Sequence, residues 1–260
     1  MKSAHQTTLA LLLVAITTPA QAGATDNYFV TGLSDYVSAP LRWDGSDWLE
    51  FGAISGGVLL AAEHLDDQWK QEMVSENHPA YNRDVAHIGN QWGDLRLSGP
   101  FILGIYGYGY WSDNSTYLNA SYNMAQAAAY TGVMTTALKM VFHRDRPNKS
   151  TDESGWFKSG SAFPSGHTSL AFAVSRSYLN SLDAPSIPTQ VLFYGLATST
   201  AFARTYDNKH WASDVIAGAL LGIYTADFVR YRGSSRNKNS DVTYIPYIKG
   251  NQIGLQISWR

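Results

Sequence analysis

Four long apolar runs constrain this chain more than anything else in it: Gly99 to Trp111, Gln126 to Phe142, Pro188 to Ala203 and Ala212 to Val229, 13 to 18 residues each. An ordinary strand uses about five or six residues, so runs of this length predict helices. Gly, Thr, Ser, Tyr or Asp interrupts every run, and the mean hydropathy of the chain is slightly negative. Such runs read as buried helices of a bundle rather than as membrane spans. The fold class expected is therefore all-α, a helical bundle.

Helices are further expected over Asp47 to His64, where Gly52 to Gly57 permits close packing, and over Asp66 to Asn77. A long helix from Asn119 to Phe142 should stop just before Arg146-Pro147, because proline disfavours helical geometry in the residue before it. Others are expected from Ser165 to about Leu182, over Pro188 to Tyr206 and over Trp211 to Tyr231. Gly23 to Asp47 reads as loop or short helix, and Pro79 to Arg96 carries no clear signal. From Gly233 a polar linker leads to alternating residues, Val242, Tyr244, Ile248 and then Ile253, Leu255, Ile257. That pattern reads as a short C-terminal β-hairpin tail around Gly250-Asn251.

The N-terminus has the form of a secretory signal peptide over residues 1–22, with Lys2, an apolar core from Leu9 to Ile16, and Ala20-Gln21-Ala22 as a cleavage site. The organisation expected is thus 1–22 signal peptide, 23–232 helical domain, and 233–260 linker and β tail. Export to the periplasm or cell envelope follows. The chain has no cysteine, so stability must come from packing rather than disulfides. A formal net charge of −2 argues against nucleic acid as a partner.

Against that neutral background three short motifs concentrate charge. The first runs from Lys139 to Arg146-Pro147, the second is Pro164-Ser165-Gly166-His167, and the third runs from Arg204 through His210 to Asp214. Three cations, two histidines, a carboxylate and a Ser-Gly turn suit one chemistry, the cleavage of a phosphate ester. That reaction needs neutralised oxygens, a nucleophile aimed at phosphorus and an acid for the leaving oxygen. His64, His78 and His87 lack metal-ligand spacing, and no metal site is expected.

The motifs, in order and spacing, resemble the type 2 phosphatidic acid phosphatase superfamily, which also includes bacterial non-specific acid phosphatases and vanadium haloperoxidases. Its pattern is Lys, six residues, Arg-Pro; then Pro-Ser-Gly-His; then Ser-Arg, five residues, His, three residues, Asp. The departure here is Ala203 in place of the Ser. The resemblance covers Lys139 to Asp214 and implies a helical bundle of that family's kind.

It also implies roles. His210 is the expected nucleophile, forming a phosphohistidine, with Asp214 accepting the other ring N–H to set tautomer and orientation. His167 is the expected general acid, later activating water. Lys139, Arg146 and Arg204 are the expected phosphate clamp, joined by Ser165 and the Gly166 amide. Lys139 and Arg146 are seven apart, which on one helix places them on one face. Arg144 and Asp145 are expected to face elsewhere and pair on the surface, while Trp156, Phe157 and Phe163 are expected at the mouth of the site.

The function expected is that of an exported, metal-independent phosphatase acting on phosphate monoesters or pyrophosphates of lipids. The expected substrate partner is a phosphate-containing lipid, with peripheral membrane contact. No cofactor is expected, and vanadate should inhibit. The alternatives are a non-specific periplasmic acid phosphatase on soluble esters, a vanadium-dependent haloperoxidase, and a non-catalytic phospholipid-binding envelope protein.

Overall fold

Helix starts in this chain are written by short polar side chains that accept hydrogen bonds from the first free amides. Asp44 accepts from Ser46 and Asp47 while Asp47 accepts from the Asp44 amide, a closed capping box. Asp94, Asn114 and Ser186 cap three further helices in the same way, the last with Pro188 just inside it.

The structure, a computed structural model, describes residues 28–74, 80–150, 155–239, 242–249 and 252–259. The signal-peptide expectation for residues 1–22 lies outside these. Among the described residues the helices are α1 (Tyr28–Val37), α2 (Gly45–His64), α3 (Asp66–Val74), α4 (Ala80–Trp92), α5 (Leu95–Trp111), α6 (Ser115–Phe142), α7 (Gly166–Ser181), α8 (Ile187–Tyr206) and α9 (Ala212–Asn239). A 3-10 turn, Ala39–Arg42, follows α1. Two antiparallel strands, β1 (Val242–Lys249) and β2 (Gln252–Trp259), pair with Val242 opposite Trp259 and Lys249 opposite Gln252. The all-α expectation holds for the bundle. The segment without a clear signal, Pro79 to Arg96, is mostly helix α4, and α9 runs on to Asn239, past Gly233 where a linker was expected. One glycine costs a helix only about 1 kcal/mol, too little to end it alone.

Leu33–Arg230 forms one compact unit, and the described residues at the chain ends belong to another. Within the larger unit, α6 packs along α7, α4 along α8, α7 along α8, and α5 along α6. Small residues make these contacts close. Ala120, Ala125 and Ala127 of α6 and Ala171 and Ala173 of α7 are buried. The backbone of α7 crosses α9 at Gly218 and Gly222, where a Cβ would lie 2.7 Å from Ser165 O and 2.4 Å from Ser169 O. An aromatic cluster of Trp92, Phe101, Tyr178 and Phe193 fills the space between α4, α5, α7 and α8.

The apolar runs are buried on one side only, which corrects the expectation of buried helices. The outer faces present Trp48, Leu49 and Phe51 on α2, Leu103 and Trp111 on α5, Met140 and Val141 on α6, and Val191 and Leu192 on α8. With helices this thin in polar residues, a bundle has too little interior to cover every apolar face. Among the described residues one segment, Ala212–Arg232, is long and apolar enough to cross a membrane, and half of its apolar window is buried.

Candidate active site

All the motif residues lie in the larger unit, and they sit at helix ends or in the loops between them. α6 ends at Phe142, where His143 takes a left-handed conformation (φ 41°, ψ 43°) and its amide closes on Lys139 O at 3.1 Å. The helix therefore stops four residues before Arg146. That corrects the expectation that Lys139 and Arg146 share a helical face: Arg146 comes from the loop after the helix. The stop is made by the cap at His143, not by Pro147.

Lys139 lies on the last turn of α6. Its ammonium donates to the carbonyls of Ser161 (2.5 Å), Pro164 (2.7 Å) and Ala162 (3.3 Å). A charge in an apolar stretch needs partners, and this one finds them on the loop that leads into α7. Burial first, and then the neighbouring Arg146 and Arg204 charges, push its pKa down to about 8 against the pull of Asp214.

α7 starts at Gly166, with Ser165 as its N-cap and a cis peptide between Phe163 and Pro164. The Ser165 hydroxyl does not cap an amide. It accepts from Thr168 Oγ1 at 3.0 Å. The Ser165 amide instead donates to Asp214 O (3.0 Å), joining the second motif to the third. Gly166 faces Thr135 and Lys139, and a Cβ there would sit 3.4 Å from Thr135 Cγ2. His167 stands in the first turn, where free amides favour an anion. Burial and then the nearby Arg204 and His210 lower its pKa to about 4.

Arg204 ends α8. Its Nη1 donates to Asn90 Oδ1 (2.8 Å), and Asn90 Nδ2 donates to Asp207 Oδ2 (2.8 Å). Its Nε is buried with no acceptor from the protein, the state expected of a donor reserved for an anion. Ala203, where the resembled pattern has Ser, is wholly buried.

His210 is 4% exposed and lies just before α9. Its Nδ1 is 3.5 Å from Asp214 Oδ2. That is beyond a good hydrogen bond, and catalytic contacts in a ligand-free site are often long. Burial, with help from Lys139 and Arg204, lowers the His210 pKa to about 4 despite Asp214. Mutual influence thus links Lys139, Arg146, His167, Arg204, His210 and Asp214 into one cluster. Among the described residues no three His, Cys, Asp or Glu side chains gather as a metal site.

The surroundings differ from expectation in one respect. Arg144 is not on the surface. It is fully buried and bonded to Asp66 and Asp214, because two buried carboxylates require a cation. Trp156 packs on that guanidinium at 4.1 Å and on Phe142 and Phe163, so it lines the structure behind the site. Phe157 is 71% exposed. Nothing along the chain marked Asn90 or Asp66 as neighbours of the motifs; they become so only through the packing of α3 and α4.

Residues 120–238 match the family described as the PAP2 superfamily. That stretch contains all three motifs, from Lys139 to Asp214. The lipid A 1-phosphatase of Porphyromonas gingivalis is 32% identical over 125 residues, 48% of this chain and 26% of that protein. The chain thus spans about a quarter of the length of that curated relative. Among solved structures, LpxE of Aquifex aeolicus aligns with a TM-score of 0.51 at 19% identity, over 64% of this chain and 94% of that one. A transmembrane PAP2 type phosphatidylglycerolphosphate phosphatase from Bacillus subtilis aligns with a TM-score of 0.55 at 20% identity, over 70% of this chain and 95% of that one. At these identities the two structures show a shared fold, and the bundle here has the helical architecture they have.

Both histidines are neutral in the folded protein at pH 7, and this has a consequence for stability. Their folded pKa values lie below the ordinary histidine value of 6.5. Between about pH 4 and 6.5 the unfolded chain binds protons that the folded chain refuses, so stability is lost as pH falls through that window. Thermal unfolding at pH 7.5, 6 and 5 should show a declining Tm, and a His167→Gln/His210→Gln double variant should decline less. An equal decline in both proteins counts against this origin.

Proposed function

We propose that this protein is a phosphatase that hydrolyses lipid phosphate monoesters or pyrophosphates through a phosphohistidine on His210. The observation that carries the reading is the convergence of three cations with two neutral histidines, one of them backed by Asp214, at the N-terminus of a helix. A phosphoryl group seated there meets Lys139, Arg146 and the orphaned Nε of Arg204, with the Gly166 and His167 amides at the start of α7.

His210 Nε2 attacks phosphorus in line as the bond to the leaving oxygen breaks, and the cations stabilise the equatorial charge. Asp214 at Nδ1 stabilises the ring as it becomes positive. His167 gives its proton to the leaving oxygen, then takes one from the water that attacks the phosphohistidine. His167 is neutral at pH 7 in the free site because it is buried and because cations surround it. A bound phosphoryl dianion reverses that field and raises its pKa, so substrate binding takes up a proton. The kcat/KM profile, which reports the free enzyme, should therefore fall above about pH 4, while the corresponding limb of kcat should lie at higher pH. Superimposable limbs would refute this coupling.

Support for a lipid substrate comes from the names of the relatives, lipid A and phosphatidylglycerolphosphate phosphatases. The exposed Trp, Leu and Phe of α2 and α5 give the protein an apolar flank that suits membrane association. The test is phosphate release in EDTA from lipid A, phosphatidylglycerophosphate, phosphatidate and soluble esters. Lipids should be favoured, and vanadate should inhibit as a transition-state mimic. Arg204→Ala should lose about 100-fold or more in kcat/KM while remaining folded. Release unaffected by EDTA but restricted to soluble esters would instead favour an acid phosphatase, and unchanged activity in Arg204→Ala would reject the clamp.

A further inference from the structure

Arg144 is wholly buried, and the chemistry proposed above does not use it. Its Nη2 donates to Asp66 Oδ2 (2.6 Å), and its Nη1 donates to Asp214 Oδ1 (2.7 Å) and Ser213 Oγ (2.7 Å). Asp66, the first residue of α3, also accepts from the Ser213 amide and the Ser213 hydroxyl, each at 2.7 Å. One guanidinium is thus shared between two carboxylates, all three side chains sealed from solvent.

The arrangement settles how Asp214 can stand. Oδ1 is taken by Arg144. Oδ2 receives the Trp211 amide (2.9 Å) and is the oxygen facing His210 Nδ1. A buried ion triad adds little net stability once desolvation is counted, and apolar side chains often serve as well. What such a triad supplies and apolar side chains do not is a fixed carboxylate with a set charge.

We propose that Asp66 and Arg144 are positioning residues for the nucleophile: Asp66 fixes the Arg144 guanidinium, and Arg144 fixes the Asp214 carboxylate with one oxygen turned to His210. This rests on the reading of His210 as the nucleophile. Because Arg144 divides its charge between two carboxylates, Asp66 also sets how much negative charge Asp214 keeps for the His210 ring as phosphorus is attacked. Without the Asp66 charge, Arg144 pairs with Asp214 alone, and the ring is less well stabilised.

The experiment uses the full chain in EDTA, with dioctanoyl phosphatidate in detergent micelles as the probe, and compares wild type, Asp66→Asn, Arg144→Lys, Asp214→Asn, His210→Gln and the two double variants that combine Asp66→Asn or Arg144→Lys with Asp214→Asn. Asp66→Asn should lower kcat about tenfold with KM little changed, and should do nothing further in the Asp214→Asn background. The His210 Nδ1 proton resonance should move upfield in Asp66→Asn as its hydrogen bond weakens. Arg144→Lys keeps the charge but loses the fork, and should behave in the same direction. It carries the same cycle if Asp66→Asn does not fold. An equal loss of kcat with and without Asp214, or no loss, overturns the inference and leaves a structural ion pair. If His210→Gln is inactive in that case, the nucleophile reading stands alone; if His210→Gln keeps wild-type activity, both fall.

Discussion

Replacing His210 by glutamine should lower kcat for phosphate release by roughly ten-thousand-fold, with KM and Tm changed little. Glutamine has similar length and keeps a polar atom near Asp214, so the buried position is not emptied. What it removes is the one nitrogen able to bond to phosphorus. The loss should exceed that of Arg204→Ala, since a missing clamp weakens stabilisation while a missing nucleophile ends the covalent path. A rapid acid-free quench with labelled substrate should trap protein-bound phosphate in the wild type and none in the variant. Turnover in His210→Gln within tenfold of wild type would mean that water attacks directly.

The second large effect is expected far from any motif. A Cβ on Gly89 would meet Ser199 O at 2.1 Å and Thr200 N at 2.7 Å. These are backbone atoms, so α4 and α8 would have to part, breaking the hydrogen bond from Thr200 Oγ1 to Gly89 O (2.8 Å). Gly89→Ala should cost about 3 kcal/mol, the upper range for overpacking, which for a domain of this size is a drop of roughly 6–12 °C in Tm. The same shift moves Asn90, the next residue, away from Arg204. Activity should therefore fall even in the folded fraction. Gly104→Ala, with nothing within 4 Å of the added carbon, should leave Tm level or slightly raised. If the two variants melt alike, the close approach of α4 and α8 is not as described.

The convergence of the motifs could be read from the sequence because each motif carries several residue types at fixed offsets, and such patterns survive without knowledge of the fold. The helices could be read because apolar runs of that length have few alternatives. What could not be read followed from distance along the chain. Arg144 looked like an exposed neighbour of Asp145, because its partner Asp66 lies 78 residues earlier. Lys139 and Arg146 looked like one helical face, because a histidine in a left-handed cap leaves no mark that a single sequence reveals. The outer apolar faces looked like core, because periodicity tells which residues share a side and not whether anything covers it.

The match to the family begins at residue 120, yet Asp66 and Asn90 reach the motif residues from before it. A fragment cut at the boundary of the matched region would hold every group named in the three motifs. It would also leave Arg144 with half its counter-charge and Arg204 without its amide partner. The packing that holds the motif residues therefore starts at least fifty residues ahead of the family match, and a truncation drawn from that match alone would carry the motifs without the side chains that hold them in place.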